Sequence, residues 1–259
     1  MCTLTFAWRR FDDHLAVAAN RDEALARPSS PPAIRDGDPR VFAPRDEEAG
    51  GTWLGYNEAG VFVALTNRWT RAVTDGDRSR GLLVREALDR PDASAAAGFV
   101  RDELDARTYE PFHLLVADAE RALLFEHDRD TSVAHLAPGV YVVGNTGWCG
   151  VRSGPAGATE PQRTESFFVP DRRPEVGREQ AANDRRVLDT LAAAAEGADA
   201  DAWLARGGEV LSDHEYGVCI HGDGFGTKSS SLVRLGAERA WRHAEGPPCE
   251  TPYEPLDAL

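Results

Sequence analysis

The sequence predicts a layered α+β fold, and three features carry that expectation. The chain opens on an alternating apolar run, Cys2 to Trp8, followed by a second from His14 to Asn20, the pattern of two paired strands. Between residues 79 and 107 the apolar residues instead recur at helical spacing. A dense run of short strands, a further amphipathic helix and a last group of strands complete the order. No linker-like shift in composition or internal repeat interrupts it, so one domain is expected over 1–259, with a Pro-rich C-terminal tail from about 246.

Taken in order, the first strand pair returns Asn20-Arg21-Asp22-Glu23 to the neighbourhood of Cys2. Residues 24–50, with Arg27-Pro28-Ser29-Ser30-Pro31-Pro32, read as a long ordered loop. Gly50 to Gly60 opens a second hairpin turning at Asn57 to Gly60, and its return strand Val61 to Asn67 ends on an asparagine. Leu82, Leu83 and Leu88 mark a helix over 79–89; Ala96, Phe99, Val100 and Leu104 mark another over 93–107, with Pro91 between them. Strands are expected over 112–118, 121–126, 132–136 and 139–145, the last again ending on an asparagine. Residues 147–173 carry Gly and Pro without a clear period and read as an irregular flap. A helix over 180–195, a short one over 201–206, the segment Gly217 to His221, the glycine-rich bend Gly222 to Lys228 and a strand over 231–235 close the chain.

Acidic residues outnumber basic ones 43 to 29, for a net charge of −14. Such a field repels phosphate, which argues against nucleic acid or an anionic membrane surface as a partner. A small-molecule substrate or ligand fits better, and the composition leaves the oligomeric state open. Lys228 is the only lysine. A surface rich in acid and poor in lysine is halophilic-like, and it is also what a GC-rich genome yields by exchanging Lys for Arg. No signal-peptide pattern precedes the first strand, no apolar run reaches the roughly 20 residues of a membrane span, and the four cysteines show no framework spacing. The expectation is a cytoplasmic protein with free thiols.

Position 2 is where chemistry is expected. Cysteine is small enough to permit removal of Met1, which would put a thiol and an α-amine on one residue. The amine, with an ordinary pKa of about 7.7–8, can take the thiol's proton, so the nucleophile carries its own base. A neighbouring ammonium and Lys228 would be expected to hold the thiol below about 8.5. His214, Cys219 and His221 fit no closed zinc spacing, so no metal and no cofactor are expected. A thiol-redox role for Cys2 would need a resolving partner at CxxC spacing, which the sequence lacks.

Met1-Cys2, Asn20-Arg21-Asp22-Glu23, Gly51-Thr52-Trp53-Leu54-Gly55, Ala64-Leu65-Thr66-Asn67, Ser79-Arg80-Gly81, Gly144-Asn145 and Gly226-Thr227-Lys228-Ser229-Ser230 together resemble the NRDE family, which includes transport and Golgi organisation proteins. The resemblance runs from residue 2 to about 235 and implies an Ntn-hydrolase-like four-layer αββα sandwich. The start is also similar to the cholylglycine hydrolase and penicillin V acylase group. That similarity implies catalytic roles for Cys2 as nucleophile, Asp22 as the carboxylate near its amine, Asn67 and Asn145 as oxyanion-region amides, and Lys228 where that group has Arg. Asn20 and Arg21 are carried as substrate-binding candidates; Ala19 stands where the acylases have a second-strand Arg. Two functions follow from these resemblances: a hydrolase cleaving a non-peptide C–N amide of a small acyl substrate, or a non-catalytic carrier of a hydrophobic small molecule such as haem or an acyl conjugate.

Overall fold

The computed structural model describes residues 2–69, 76–152 and 162–259, which divide into two compact units. The first comprises residues up to Leu25 together with Ala137–Leu256; the second comprises Ala26–Leu136 and the last three residues.

The first unit is built on an eight-stranded antiparallel sheet. Its strands are β1 (Thr3–Trp8), β2 (Leu15–Ala24), β10 (Gly139–Val143), β11 (Gly147–Arg152), β12 (Gln162–Phe167), β13 (Phe225–Leu235), β14 (Arg239–Ala244) and β15 (Glu254–Leu256). Their spatial order is β12-β11-β10-β1-β2-β13-β14-β15, which puts the two N-terminal strands at the centre. Helices α3 (Pro174–Ala194) and α4 (Ala200–Ser212) cover one face. Strand alternation sends Ala7, Ala16, Ala18, Val140, Val142 and Cys149 to that face, against Val187, Leu188 and Leu191 of α3 and Trp203, Leu204 and Leu211 of α4. The small residues let α4 lie close. A Cβ at Gly207 would come within 2.9 Å of the Ala18 methyl, and the helix therefore continues through Gly207-Gly208, past the 201–206 span its sequence suggests. Packing here overrides a glycine helix cost of roughly 1 kcal/mol per residue.

The second unit is a seven-stranded meander in simple sequence order: β3 (Ser29–Arg35), β4 (Val41–Asp46), β5 (Leu54–Asn57), β6 (Phe62–Asn67), β7 (Phe112–Ala117), β8 (Ala122–His127) and β9 (Thr131–His135). Helices α1 (Arg80–Ala87) and α2 (Ala93–Ala106) bury Leu83, Val84, Ala87, Ala96, Ala97 and Val100 against Val61, Val63, Leu114, Val116, Leu123 and Phe125. Ser79 and Asp92 cap these helices through their side chains, and Asn57 ties its hairpin to the end of α1 by donating to the Leu88 and Arg90 carbonyls.

Two segments differ from the sequence expectation. Residues 24–50 are not a loop: they hold β3 and β4. Pro31-Pro32 hides β3 because proline cannot donate to a ladder, but β3 is an edge strand and its register slips between Ser30 and Ala33, so the two prolines need no partner. Of the expected 147–173 flap, residues 153–161 lie outside the described residues, and the described flanks are not irregular: β11 and β12 pair from Gly147↔Phe167 to Arg152↔Gln162. The strand β12 is an exposed edge with no apolar alternation to reveal it. The Pro-rich end also contributes structure, as β15 pairs with β14.

Candidate active site

Within the first unit, Cys2 lies where the ends of several elements meet. Leu4 pairs with Val143 on one side and Ala19 on the other, which sets Cys2 between the end of β10 and the NRDE segment of β2. Asn145 sits in the tight Gly144–Gly147 turn after β10, closed by a Gly144 N–H to Gly147 carbonyl bond of 2.9 Å. The Cys2 nitrogen donates to Asn145 Oδ1 at 3.0 Å, and Gln180 Nε2, from the buried face of α3, donates to the same oxygen at 3.1 Å. With Oδ1 so engaged, any oxyanion donation by Asn145 comes from Nδ2. The Cys2 Sγ lies 3.6 Å from the Asp22 carbonyl oxygen.

Asp22 is buried, and its carboxylate accepts a 2.5 Å hydrogen bond from the Thr227 hydroxyl across the β2–β13 ladder. Burial pushes its pKa up to about 6, against the opposing pull of the amino-terminal charge and the Thr227 hydroxyl. Thr227 is in turn fixed at both ends by Ile220: its hydroxyl accepts from the Ile220 N–H and its own N–H donates to the Ile220 carbonyl, each at 2.9 Å. Replacing Thr227 with Val keeps the shape and removes the donor. The carboxylate then loses a hydrogen bond worth roughly 1.5–3 kcal/mol, and Asp22 should titrate about one to two pH units higher by carboxyl NMR. An unchanged titration would mean that the hydroxyl does not tune Asp22.

The thiol differs from its expectation. Burial is the largest influence on Cys2 and raises its pKa, while the charge at the amino terminus lowers it and Asp22 raises it. At neutral pH the Cys2 thiol is therefore held in its neutral form.

The remaining candidates are placed as follows. Asn20 is buried and gives both amide hydrogens to backbone carbonyls, those of Leu211 and Val218, each at 2.9 Å, which ties β2 to the end of α4. Arg21 is buried with its guanidinium 3.9 Å from the Glu23 carboxylate, and its charge pulls the Cys2 thiol down. Lys228 is the extra residue of a β-bulge, because pairing jumps from Thr227↔Asp22 to Ser229↔Arg21. Its Nζ donates to the Leu25 carbonyl at 3.1 Å. Asn67 closes β6 in the second unit, half-buried and paired with Phe112. Thus Cys2, Asp22 and Asn145 converge, joined by Thr227, which lies in the Gly226-to-Ser230 motif but is not among the expected site residues, and by Gln180, which no motif marks. Gln180 is visible in the sequence only as a polar residue on the apolar stripe of α3. The surface hollow of about 340 Å³ lined by Arg186, Asp189, Thr190, Glu215 and Tyr216 shares none of these residues.

Among solved structures, the chain is similar to penicillin V acylase from Agrobacterium tumefaciens, with a TM-score of 0.57 and 11% identity over 94% of this chain and 83% of that one. A mutant of conjugated bile acid hydrolase from Clostridium perfringens gives 0.56 at 9% identity, covering 100% and 97%. The Caenorhabditis elegans ortholog of N-acylethanolamine-hydrolyzing acid amidase gives 0.54 at 13%, covering 90% and 92%. At such identities the likeness establishes the fold, which is that of the Ntn hydrolases. By sequence, the chain is 26% identical over 240 residues to the human Transport and Golgi organization protein 2 homolog, covering 86% of this chain and 83% of that protein. The bovine homolog is 31% identical over 139 residues, 51% of this chain and 50% of that one. The match to the family model Transport and Golgi organisation 2 spans residues 1–245, nearly the whole chain, and the chain belongs to that family.

Proposed function

We propose that the protein is an N-terminal-cysteine amidohydrolase that cleaves a non-peptide C–N amide bond of a small acyl substrate. The observation that carries this reading is the placement of Cys2, its nitrogen on Asn145 Oδ1 at 3.0 Å and its sulfur against Asp22. Removal of Met1 frees the Cys2 α-amine while leaving an N–H to hold Asn145. The thiol gives its proton to the amine, Sγ attacks the acyl carbonyl, and the C–N bond breaks as the leaving amine takes that proton. Water then attacks the thioester, with the α-amine again as base, and releases the acid. Asp22 stands close enough for its charge to act on the Cys2 thiol. As the carboxylate beside the amino terminus, it steadies the ammonium formed in each step. The acylase, bile acid hydrolase and acid amidase neighbours support an acyl-amide substrate class.

The test is intact-mass analysis of protein incubated with an activated acyl ester probe. The reading expects loss of Met1 and a single acyl adduct on Cys2; a retained or acetylated Met1 removes the self-contained base and overturns the mechanism.

A carrier of a hydrophobic ligand, haem or an acyl conjugate, is the second reading, favoured by the transport naming of the vertebrate relatives. It expects ligand affinity to be the same in Cys2→Ala as in the wild type. A cytoplasmic setting belongs to both proposals; among the described residues, no helix is long and apolar enough to cross a membrane.

A further inference from the structure

The first unit brings together four metal-ligating side chains that its linear sequence keeps apart. His214 belongs to a single 3-10 turn, His214–Tyr216, after α4. Cys219 and His221 follow in the segment leading to β13, and Cys249 lies in the turn between β14 and β15, where Glu250 and Thr251 both donate to the Pro247 carbonyl. We propose that His214, Cys219, His221 and Cys249 form a structural zinc site.

Each residue offers one ligand atom, and the four atoms lie within 4.8 Å of one another. The two sulfurs are 3.6 Å apart; His221 Nε2 is 3.7 Å from Cys219 Sγ and 3.1 Å from Cys249 Sγ. The His214 and His221 rings meet edge to face with centroids 5.1 Å apart. A tetrahedral zinc with sulfur at about 2.3 Å and nitrogen at about 2.0–2.1 Å needs ligand atoms roughly 3.3–3.8 Å apart, the edge of that tetrahedron. Three of the pairs fall within a few tenths of an ångström of this range. Two thiolates and two imidazoles select zinc over magnesium or calcium, and four protein ligands close the shell as structural sites do. On binding, each thiol loses its proton to solvent and the ion sheds its waters. Two thiolates then neutralise the two positive charges of the metal. The spacing of the first three ligands resembles no zinc pattern because the fourth comes from 28 residues beyond His221, carried back by the β13–β14 hairpin and the turn before β15.

The site has a consequence for Asp22. Ile220 lies between two of the ligands, and its backbone makes both hydrogen bonds that fix Thr227, the donor to Asp22. A metal holding Cys219 and His221 therefore immobilises the segment that orients the Asp22 carboxylate. The zinc assignment does not depend on the hydrolase reading.

The experiment is a metal titration of the full chain, stripped with chelator under reducing conditions, first with cobalt(II) and then with zinc. The expected result is one ion per chain, with thiolate-to-cobalt charge-transfer bands and the intense visible absorption of a tetrahedral centre, bleached by one equivalent of zinc. Cys249→Ser and the surface change His214→Ala should each weaken binding by about 100-fold or more, since even changes outside the ligand shell cost 10–100-fold. Cys2→Ala should leave the titration unchanged. Substoichiometric binding, absence of the thiolate bands, or affinity that survives both ligand substitutions would overturn the site. So would a Cys219–Cys249 disulfide found by peptide mass analysis in protein purified without oxidant.

Discussion

Replacing Cys2 with Ala should lower amide turnover by about 10⁴-fold or more and abolish the acyl adduct, while leaving the protein folded. The size follows from removing the nucleophile: hydrolases that lose it keep only the contributions of oxyanion donors and substrate binding. The fold should tolerate the change. Cys2 is partly exposed, precedes the first strand, and its sulfur makes one long contact to the Asp22 carbonyl. The bond from its nitrogen to Asn145 is made by the backbone and survives substitution. Ligand affinity measured on Cys2→Ala should stay within a few-fold of wild type, so the variant separates chemistry from binding. Unchanged turnover, or an adduct that moves to another thiol such as the exposed Cys249, would remove Cys2 as the nucleophile. If wild type shows no turnover with any acyl amide and both proteins bind a hydrophobic ligand equally, the carrier reading stands in its place.

How much of the fold the sequence reveals depends on what kind of signal each part leaves. Buried central strands write their period into the chain, so β1, β2, β6, β7 and β8 are legible, as are the capped helices α1 and α2. Edge strands are not: β3 carries two prolines and β12 has no apolar face. Motifs point to Cys2, Asp22 and Asn145, whose convergence follows from strand register. The rarity of lysine points to Lys228, but β-strand parity is broken there by the bulge, and Thr227 is the residue that meets Asp22. No local pattern announces a bulge. The four-ligand cluster is hidden for a related reason, since its members are neighbours only after three strands have paired. Within the NRDE tetrapeptide the four residues divide their roles. Asn20 ties the strand to α4, Asp22 meets Thr227, and Arg21 and Glu23 face each other at 3.9 Å.

The largest effect on stability is expected at Asp184, one helical turn beyond Gln180 on α3. The side chain is fully buried, and neither carboxylate oxygen has a hydrogen-bond partner among the described residues. It presses on the backbone next to the site: a Cβ at Gly144, the residue before Asn145, would fall 2.3 Å from Asp184 Oδ2, which is why that position is glycine. Burial pushes the Asp184 pKa up to about 8, with the Arg185 charge opposing. The Cys149 thiol points at the Asp184 carbonyl at 3.7 Å and is itself raised by burial. Because the folded state holds the Asp184 proton more tightly than the unfolded chain, whose carboxyl titrates near 3.8, the neutral acid favours folding at low pH. That contribution is complete below about pH 4 and is lost as pH rises toward 8. At neutral pH the loss is on the order of 4 kcal/mol, since every tenfold difference in proton affinity between the two states is worth about 1.4 kcal/mol. Asp184→Asn removes the titration and keeps the shape. Its melting temperature should match wild type near pH 4 and exceed it by about 10 °C near pH 8, taking about 2–4 °C per kcal/mol for a chain of this size. A wild-type protein whose stability rises between pH 4 and 8 relative to Asp184→Asn would show instead that Asp184 is ionised and paired in the folded state.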